Sequence, residues 1–393
     1  MMSKRFENVV VVAMGRSAIA RSGKKGALRE MHPVDLGGLV LRGILDRDLP
    51  DLKRNMIEDV IVGCAQPDLK QGCNFARAIS IRAGLPDSVP GVQVNRFCSS
   101  GLQAIAMAAA LIESGMNDIL VAGGVESMTS VPANYDRSEY FDSWILENKP
   151  SLYLPMGITA ENVAERYGIT REEMDAFAVE SHRKAAKARE EGKFDQEIIP
   201  LTGVNEAGEP ILFDKDQGIR PGSSMESLAK LDPCFVENGK VTAATSSQTS
   251  DGASFVVLMS KAKAEELGYK PIARFIGFAA TGCDPAYMGL GPITAVPKVM
   301  AKTGMSIEDM DVIELNEAFA AQSIPCIREL GLDMKKVNPN GGAIAMGHPM
   351  GATGAFLTCK ALNELRRTGG KYALITMCVG HGMGAAGIYE MCE

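Results

Sequence analysis

Val94-Asn95-Arg96-Phe97-Cys98-Ser99-Ser100-Gly101 ends one kind of structure and begins another. Before it, Val92 to Val94 reads as a short buried strand. After it, Ser99 to about Glu113 carries Leu102, Ile105, Ala106, Ala109 and Ile112 at helical spacing. Ile119 to Ala122 then reads as a further strand, closed by Gly123-Gly124. The C-terminal part repeats the plan: Val337-Asn338, a glycine-rich turn, a helix from Ala355 to Arg367, and a strand from Tyr372 to Thr376 followed by glycines. Strands alternating with helices predict an α/β protein built on a parallel or mixed sheet. Two similar halves packed together would bring both turns to one central crevice.

Working outward, Asn8 to Ala13 and Val60 to Val62 read as buried strands, and Pro33 to about Arg47 as a helix with Leu36, Leu39, Val40 and Ile44 on one face. From about Ser127 to Ser247 strand signals thin out. Charged helices such as Arg171 to Glu191 appear, and Leu201 to Pro221 reads as loop, so this stretch is expected to be an inserted, less regular domain. After Ser260 the alternation resumes, with helices Ala262 to Leu267 and Ala295 to Lys302 and strand Val312 to Leu315.

A chain of 393 residues exceeds what one core usually spans, so two or more domains are expected. An apolar fraction of 46% supports a large core. The net charge of −7 with interspersed signs, and no basic stripe, argues against nucleic acid as the main partner. Runs such as Val9 to Met14 are too short to span a bilayer. The first residues carry no apolar signal segment, so a cytoplasmic location is expected. The nine cysteines include no CxxC pair, which points away from a disulfide framework or a metal site and toward a reducing compartment.

Cys98 stands at the start of a helix, where backbone N–H groups and the helix dipole favour a thiolate and offer an oxyanion site. Taken alone it also reads as a packed structural cysteine. Of the four histidines, His182 lies in a charged helix and is expected to be solvated, and His32 precedes Pro33 as a surface or cap residue. His348 lies in Asn338-Pro339-Asn340-Gly341-Gly342-Ala343-Ile344-Ala345-Met346-Gly347-His348-Pro349, a turn that lets backbone approach a ligand closely. It is a natural base for a cysteine nucleophile, or alternatively a hydrogen-bonded core histidine. Cys378-Val379-Gly380-His381-Gly382-Met383-Gly384 offers a second thiol among glycines. Gly382 to Gly387 also spells GxGxxG, but no helix, further strand and acidic residue follow at the spacing a dinucleotide site needs, so that reading is rejected. Asn316-Glu317-Ala318-Phe319 follows a strand, where Asn316 suits ligand positioning or a simple cap.

In this order and spacing, NRFCSSG, NEAF, NPNGGAIAMGHPMGATG and CVGHGMG resemble the thiolases over essentially the whole chain. The segments Gly123 to Met128, Met156 to Glu161 and Ser246 to Gly252 add to the resemblance. It implies two similar βαβαβαββ halves in a layered α/β/α/β/α arrangement with an inserted loop domain, divided as 1–120 with 248–270, 121–247, and 271–393. It implies acyl transfer through Cys98, activated by His348, with Cys378 moving the proton at the α-carbon of acetyl-CoA. Asn316 (through a water) and His348 would form one oxyanion hole; the amides of Cys98 and Gly380 would form the other. Arg220, Ser227, Ser247 and Met156 align with substrate-binding positions. Coenzyme A is then substrate rather than cofactor, acyl-CoA and acetyl-CoA are the partners, and a homodimer or homotetramer is implied.

The Tyr167-Gly168-Ile169-Thr170 helix start resembles the degradative 3-ketoacyl-CoA members. Pro155 stands where members dedicated to acetoacetyl-CoA often have histidine, so broad chain-length use is expected over a C4 specialist. A ketoacyl synthase of the same superfold would lack Cys378, and a non-catalytic acyl- or lipid-binding relative would lack the complete set. His381 occupies a position commonly glycine in the family, and is expected to adjust Cys378, to narrow the acyl pocket, or simply to point outward as a neutral histidine.

Overall fold

The computed structural model describes residues 5–132 and 134–392. Its strands are β1 (Val9–Arg16), β2 (Ala20–Arg21), β3 (Asp59–Gly63), β4 (Val92–Val94), β5 (Ile119–Ser127), β6 (Leu201–Val204), β7 (Pro210–Phe213), β8 (Ser250–Ser260), β9 (Ala273–Gly282), β10 (Val312–Leu315), β11 (Tyr372–Val379) and β12 (Met383–Met391). The main sheet runs β4-β3-β5-β8-β1-β9-β12-β11-β10, and β6 with β7 forms a separate hairpin. In the first half β4, β3 and β5 are parallel, and β8 and β1 follow antiparallel. In the second half β10 and β11 are parallel, and β12 and β9 follow antiparallel. Val337 bridges Ile313 in parallel, taking beside β10 the place that β4 takes beside β3. The repeat read in the sequence is therefore a repeat of strand order, and the halves join where Val10 and Val11 pair with Arg274 and Ala273.

The longer helices are α1 (Pro33–Asp48), α2 (Phe75–Arg82), α3 (Ser100–Glu113), α4 (Met156–Arg166), α5 (Arg171–Glu190), α6 (Gly291–Thr303), α7 (Ala320–Glu329) and α8 (Met350–Thr368). Helix α1 covers the outer face of the first half and α6 that of the second. Helices α3 and α8 lie between, with α8 touching β5 and β8 on one side and β10 and β11 on the other. The result is the layered α/β/α/β/α order. Because the middle of α8 is sealed, its buried lysine is paired: Lys360 Nζ donates to Glu314 at 2.8 Å and to the Gly341 carbonyl at 2.6 Å.

Glycines set how closely the two central helices approach. A Cβ on Gly101 would lie 2.8 Å from the Gly351 carbonyl oxygen, and one on Gly354 would lie 2.3 Å from the Leu102 amide. Backbone therefore meets backbone at the N-terminal ends of α3 and α8, the ends that follow Cys98 and His348. Gly123-Gly124 does the same within β5 rather than ending it: a Cβ on Gly124 would lie 2.0 Å from the Gly351 oxygen. Strand β5 pairs with β8 through Ser127, so the expected division at residue 121 falls inside the sheet and the chain leaves it only after Ser127. The stretch read as loop from Leu201 contains the β6–β7 hairpin. The GxGxxG segment lies in a turn and in β12, paired with β9 and β11, not at a helix start. His32 caps α1, its Nδ1 accepting from the Val34 amide.

Candidate active site

The Cys98 turn is fixed by its own polar side chains. Asn95 Oδ1 accepts from the Phe97 amide at 2.8 Å. Ser100 Oγ accepts from the Arg96 amide at 2.9 Å and donates to the Phe97 carbonyl at 2.7 Å. Phe97 is held at φ 43°, and Cys98 follows in a 3-10 turn that leads into α3. The amides of Gly380 and of Cys98 itself lie close enough to the Cys98 sulfur to pull its thiol down. Burial nonetheless pushes this thiol up to about 11, and the buried carboxylate of Glu126 adds to the effect. The expected thiolate is thus overridden in the resting protein: the amides lower the thiol, but desolvation raises it more. Cys98 rests as a neutral thiol and needs a base.

His348 has the protonation state of a base. Its backbone N–H donates to the Gln248 carbonyl at 3.0 Å and to Ser250 Oγ at 3.1 Å. Thr353 Oγ1 donates to the Pro349 carbonyl at 3.2 Å and stands 2.7 Å from His348 Nδ1. A hydroxyl that spends its proton on a carbonyl must accept from the ring, which assigns the proton to Nδ1 and leaves a lone pair on Nε2. Nε2 faces Asn316 Nδ2 at 3.4 Å. Burial pulls His348 down to about 4, so the ring is neutral at pH 7. Asn316 Oδ1 is buried with no partner among the described residues.

Cys378 sits near the end of β11 and is fully buried. Its thiol is pushed well above the ordinary range, by burial first and then by neighbouring Cys98. It packs in an apolar cluster with Met288, Ala318, Phe319 and Ile344, against which Met156 also rests. The rings of Phe235 and Phe319 meet at 5.9 Å.

The structure therefore brings Cys98, Gly380 and Cys378 together, and His348 with Asn316. Ser247 lies beside the apolar wall, its amide donating to the Ala318 carbonyl at 2.9 Å. Arg220 and Ser227 are exposed, on the 214–228 segment outside this group. Ser227 Oγ is occupied in a capping box with Ser224.

Three supporting residues escaped sequence reasoning. Thr353 sets the His348 tautomer. Glu317 fastens the glycine turn ahead of His348, accepting from Ser181 Oγ at 2.6 Å, Asn338 Nδ2 at 2.8 Å and the Ile344 amide at 3.3 Å. Glu126 joins three segments, accepting from the amides of Ala65 and Gly351 at 2.8 Å each and from Gln71 Nε2 at 3.0 Å. A lone carboxylate inside a buried glycine-rich strand was the available signal for Glu126.

Two family descriptions match the chain: thiolase, N-terminal domain, over residues 9–262, and thiolase, C-terminal domain, over residues 269–391. The chain belongs to the thiolase family. It is 46% identical to a 3-ketoacyl-CoA thiolase of Bacillus subtilis across 98% of this chain and 100% of that one. It is 45% identical to a 3-ketoacyl-CoA thiolase of Aliivibrio fischeri with the same coverage. Among solved structures, the Bacillus anthracis acetyl-CoA acetyltransferase superposes with a TM-score of 0.89 at 40% identity, covering 99% of this chain and 100% of that one. The dimeric peroxisomal thiolase of Saccharomyces cerevisiae gives 0.90 at 40% identity, covering 100% and 99%. This thiolase is an acetyl-CoA C-acyltransferase, which cleaves 3-ketoacyl-CoA with coenzyme A or runs the reverse Claisen condensation.

One expectation is corrected here. His182 is buried, not solvated, because α5 turns one face inward despite its charge; His182 Nδ1 accepts from the Arg220 amide at 3.1 Å. Burial, with the Arg220 charge second, pulls His182 down to about 4. The unfolded chain takes up a proton near pH 6.5, so between about 6.5 and 4 it binds more protons at this site than the folded chain does. The stability His182 contributes is therefore full above pH 6.5 and is lost as pH falls toward 4, by up to about 3 kcal/mol. The stability gap between the wild type and His182→Gln, read from urea midpoints, should narrow steadily from pH 7 to pH 4. A gap independent of pH would contradict this.

Proposed function

We propose that thiolysis in this chain runs through an acyl group on Cys98. His348 Nε2 takes the Cys98 proton as the sulfur attacks the 3-keto carbon. The bond between C2 and C3 breaks, its electrons pass to the acetyl-CoA enolate, and the Cys378 thiol protonates that enolate at carbon. The acyl group stays on Cys98 as a thioester. The proton held on His348 then restores Cys378; coenzyme A attacks the thioester, His348 takes its thiol proton and passes it to the departing Cys98 sulfur, and the acyl group leaves as acyl-CoA. The amides of Cys98 and Gly380 receive the oxyanion of the acyl-cysteine steps. His348, now carrying a proton on Nε2, and Asn316 receive that of the enolate. One imidazole thus serves first as base and then as donor. The observation that carries the proposal is the packing at Cys98: its turn lies against the strand that carries Cys378, with the amides of Cys98 and Gly380 near its sulfur and a second thiol as its neighbour.

Arg220, Ser227, Ser247 and Met156 are proposed contacts for the coenzyme A part of the substrate. Ser247 and Met156 stand at the apolar wall beside Cys378, and Arg220 and Ser227 lie farther out, which suits a long substrate entering from that side. Pro155 together with the wall of Met156, Phe235, Met288 and Phe319 favours acyl chains beyond C4. We further propose a homo-oligomer, a dimer or tetramer, in line with the dimeric yeast relative, working in the cytoplasm on acyl-CoA, acetyl-CoA and coenzyme A without another cofactor. Among the described residues no helix is long and apolar enough to cross a membrane. The test is to incubate the protein with labelled acetyl-CoA, quench in acid and map the label by peptide mass spectrometry. Label on Cys98 is expected. Label on Cys378 alone, or none, would reject the scheme.

A further inference from the structure

Two non-glycine residues in the two catalytic turns adopt the left-handed backbone region: Phe97 at φ 43°, just before Cys98, and His381 at φ 64°, just after Gly380. Side chains rarely sit there unless their surroundings fix them. Here the two strained residues face each other, with ring centroids 4.5 Å apart at 62°. On its other side the His381 ring meets Tyr153 at 5.9 Å and 79°, and Tyr153 meets Phe141 at 5.0 Å. The imidazole therefore fills a slot between the turn that carries Cys98 and segment 141–153 of the inserted region. Tyr153 stands three residues before Met156, which rests against the apolar cluster around Cys378.

We propose that His381 is a specificity-determining residue: wedged between Phe97 and Tyr153, its ring closes the side of the acyl cavity next to Gly380 and limits the length of acyl chain this thiolase cleaves efficiently. The inference rests on the acyl-Cys98 reading. The contacts select among the roles expected from sequence: a ring packed against Phe97 and Tyr153 does not simply point outward. Edge-to-face aromatic neighbours make a wall. Among the described residues the ring has no hydrogen-bond partner that would tie it to a proton-transfer path to Cys378. Burial also lowers His381, so the ring is neutral at pH 7 and suited to an apolar lining. With glycine at this position the slot would stand open.

The test measures kcat/KM for thiolysis of 3-ketohexadecanoyl-CoA and acetoacetyl-CoA in the wild type, His381→Gly, His381→Asn and Tyr153→Ala. Glycine and asparagine both accept the left-handed backbone, so the turn should fold in each. Acetyl labelling of Cys98 is run on every protein. The long-to-short ratio is expected to rise about tenfold or more in all three variants, since a pocket gained or lost by a few methylenes discriminates at that level. Acetoacetyl-CoA cleavage and Cys98 labelling should persist. An unchanged ratio with Cys98 still labelled overturns this inference alone. A rise in His381→Gly but not in the other two, or an equal loss at both lengths, also overturns it, because each is the mark of a backbone effect. Failure to label Cys98 in the wild type overturns the acyl-cysteine reading and this one with it.

Discussion

Cys98→Ala lowers thiolysis of every 3-ketoacyl-CoA by on the order of 10⁵–10⁶-fold, the scale on which removing a covalent nucleophile acts. The methyl group that replaces the thiol can neither attack the 3-keto carbon nor hold the acyl group between half-reactions. His348 then has no proton to take, so its lone pair, set up through Thr353 and Pro349, does nothing. What survives is binding through the proposed coenzyme A contacts, together with amides that no longer face a reacting atom. The fold should tolerate the change, because the turn is held by Asn95 and Ser100 and not by the sulfur. The check is steady-state thiolysis beside calorimetric binding of coenzyme A. Binding near the wild-type value with turnover gone is expected, whereas turnover within tenfold of the wild type would remove Cys98 from the chemistry.

The same residue shows how far sequence reaches. A helix start after a strand is legible from Val94 to Gly101, and with it the field of the helix end on Cys98. Burial is not legible there, and burial decides the resting protonation, holding the thiol at about 11. Of the strands missed in the sequence, β8 and β12 are buried on most of their length, so they lack the alternation that marks a half-exposed strand. Segment 382–387 spells the GxGxxG pattern without being a phosphate loop because its small residues serve a different end: a Cβ on Gly384 would lie 2.1 Å from the Gly291 oxygen. Helix α7 was hidden by Pro325 within it. Gly123-Gly124 and His182 were misjudged for one shared reason. A glycine pair usually means a turn and a charged helix usually means solvent, but at both places another segment packs close, α8 on β5 and the Arg220 loop on α5. Local pattern carries no record of what arrives from far along the chain.

That convergence from afar also predicts which half of the reaction fails when the second thiol is changed. Cys378→Ser should slow cleavage of the carbon–carbon bond by about 10²–10⁴-fold, the range for a positioned acid or base. The enolate released when C2 and C3 part must gain a proton at carbon, and a hydroxyl is a far weaker acid than a thiol. Without that proton the enolate recombines with the acyl-cysteine. Acyl exchange between acetyl-CoA and labelled coenzyme A forms and breaks the Cys98 thioester without moving a carbon-bound proton. It uses Cys98, His348 and the Gly380 amide, all of which the variant keeps. Serine is slightly smaller than cysteine, so the apolar cluster of Met288, Phe319 and Ile344 should stay packed. Exchange close to the wild-type rate, beside cleavage that is nearly lost, is therefore the expected pair of results from isotope exchange and steady-state thiolysis on one preparation. Equal losses in both assays would mean that Cys378 supports the site as a whole, and the division of labour between the two sulfurs would have to be given up.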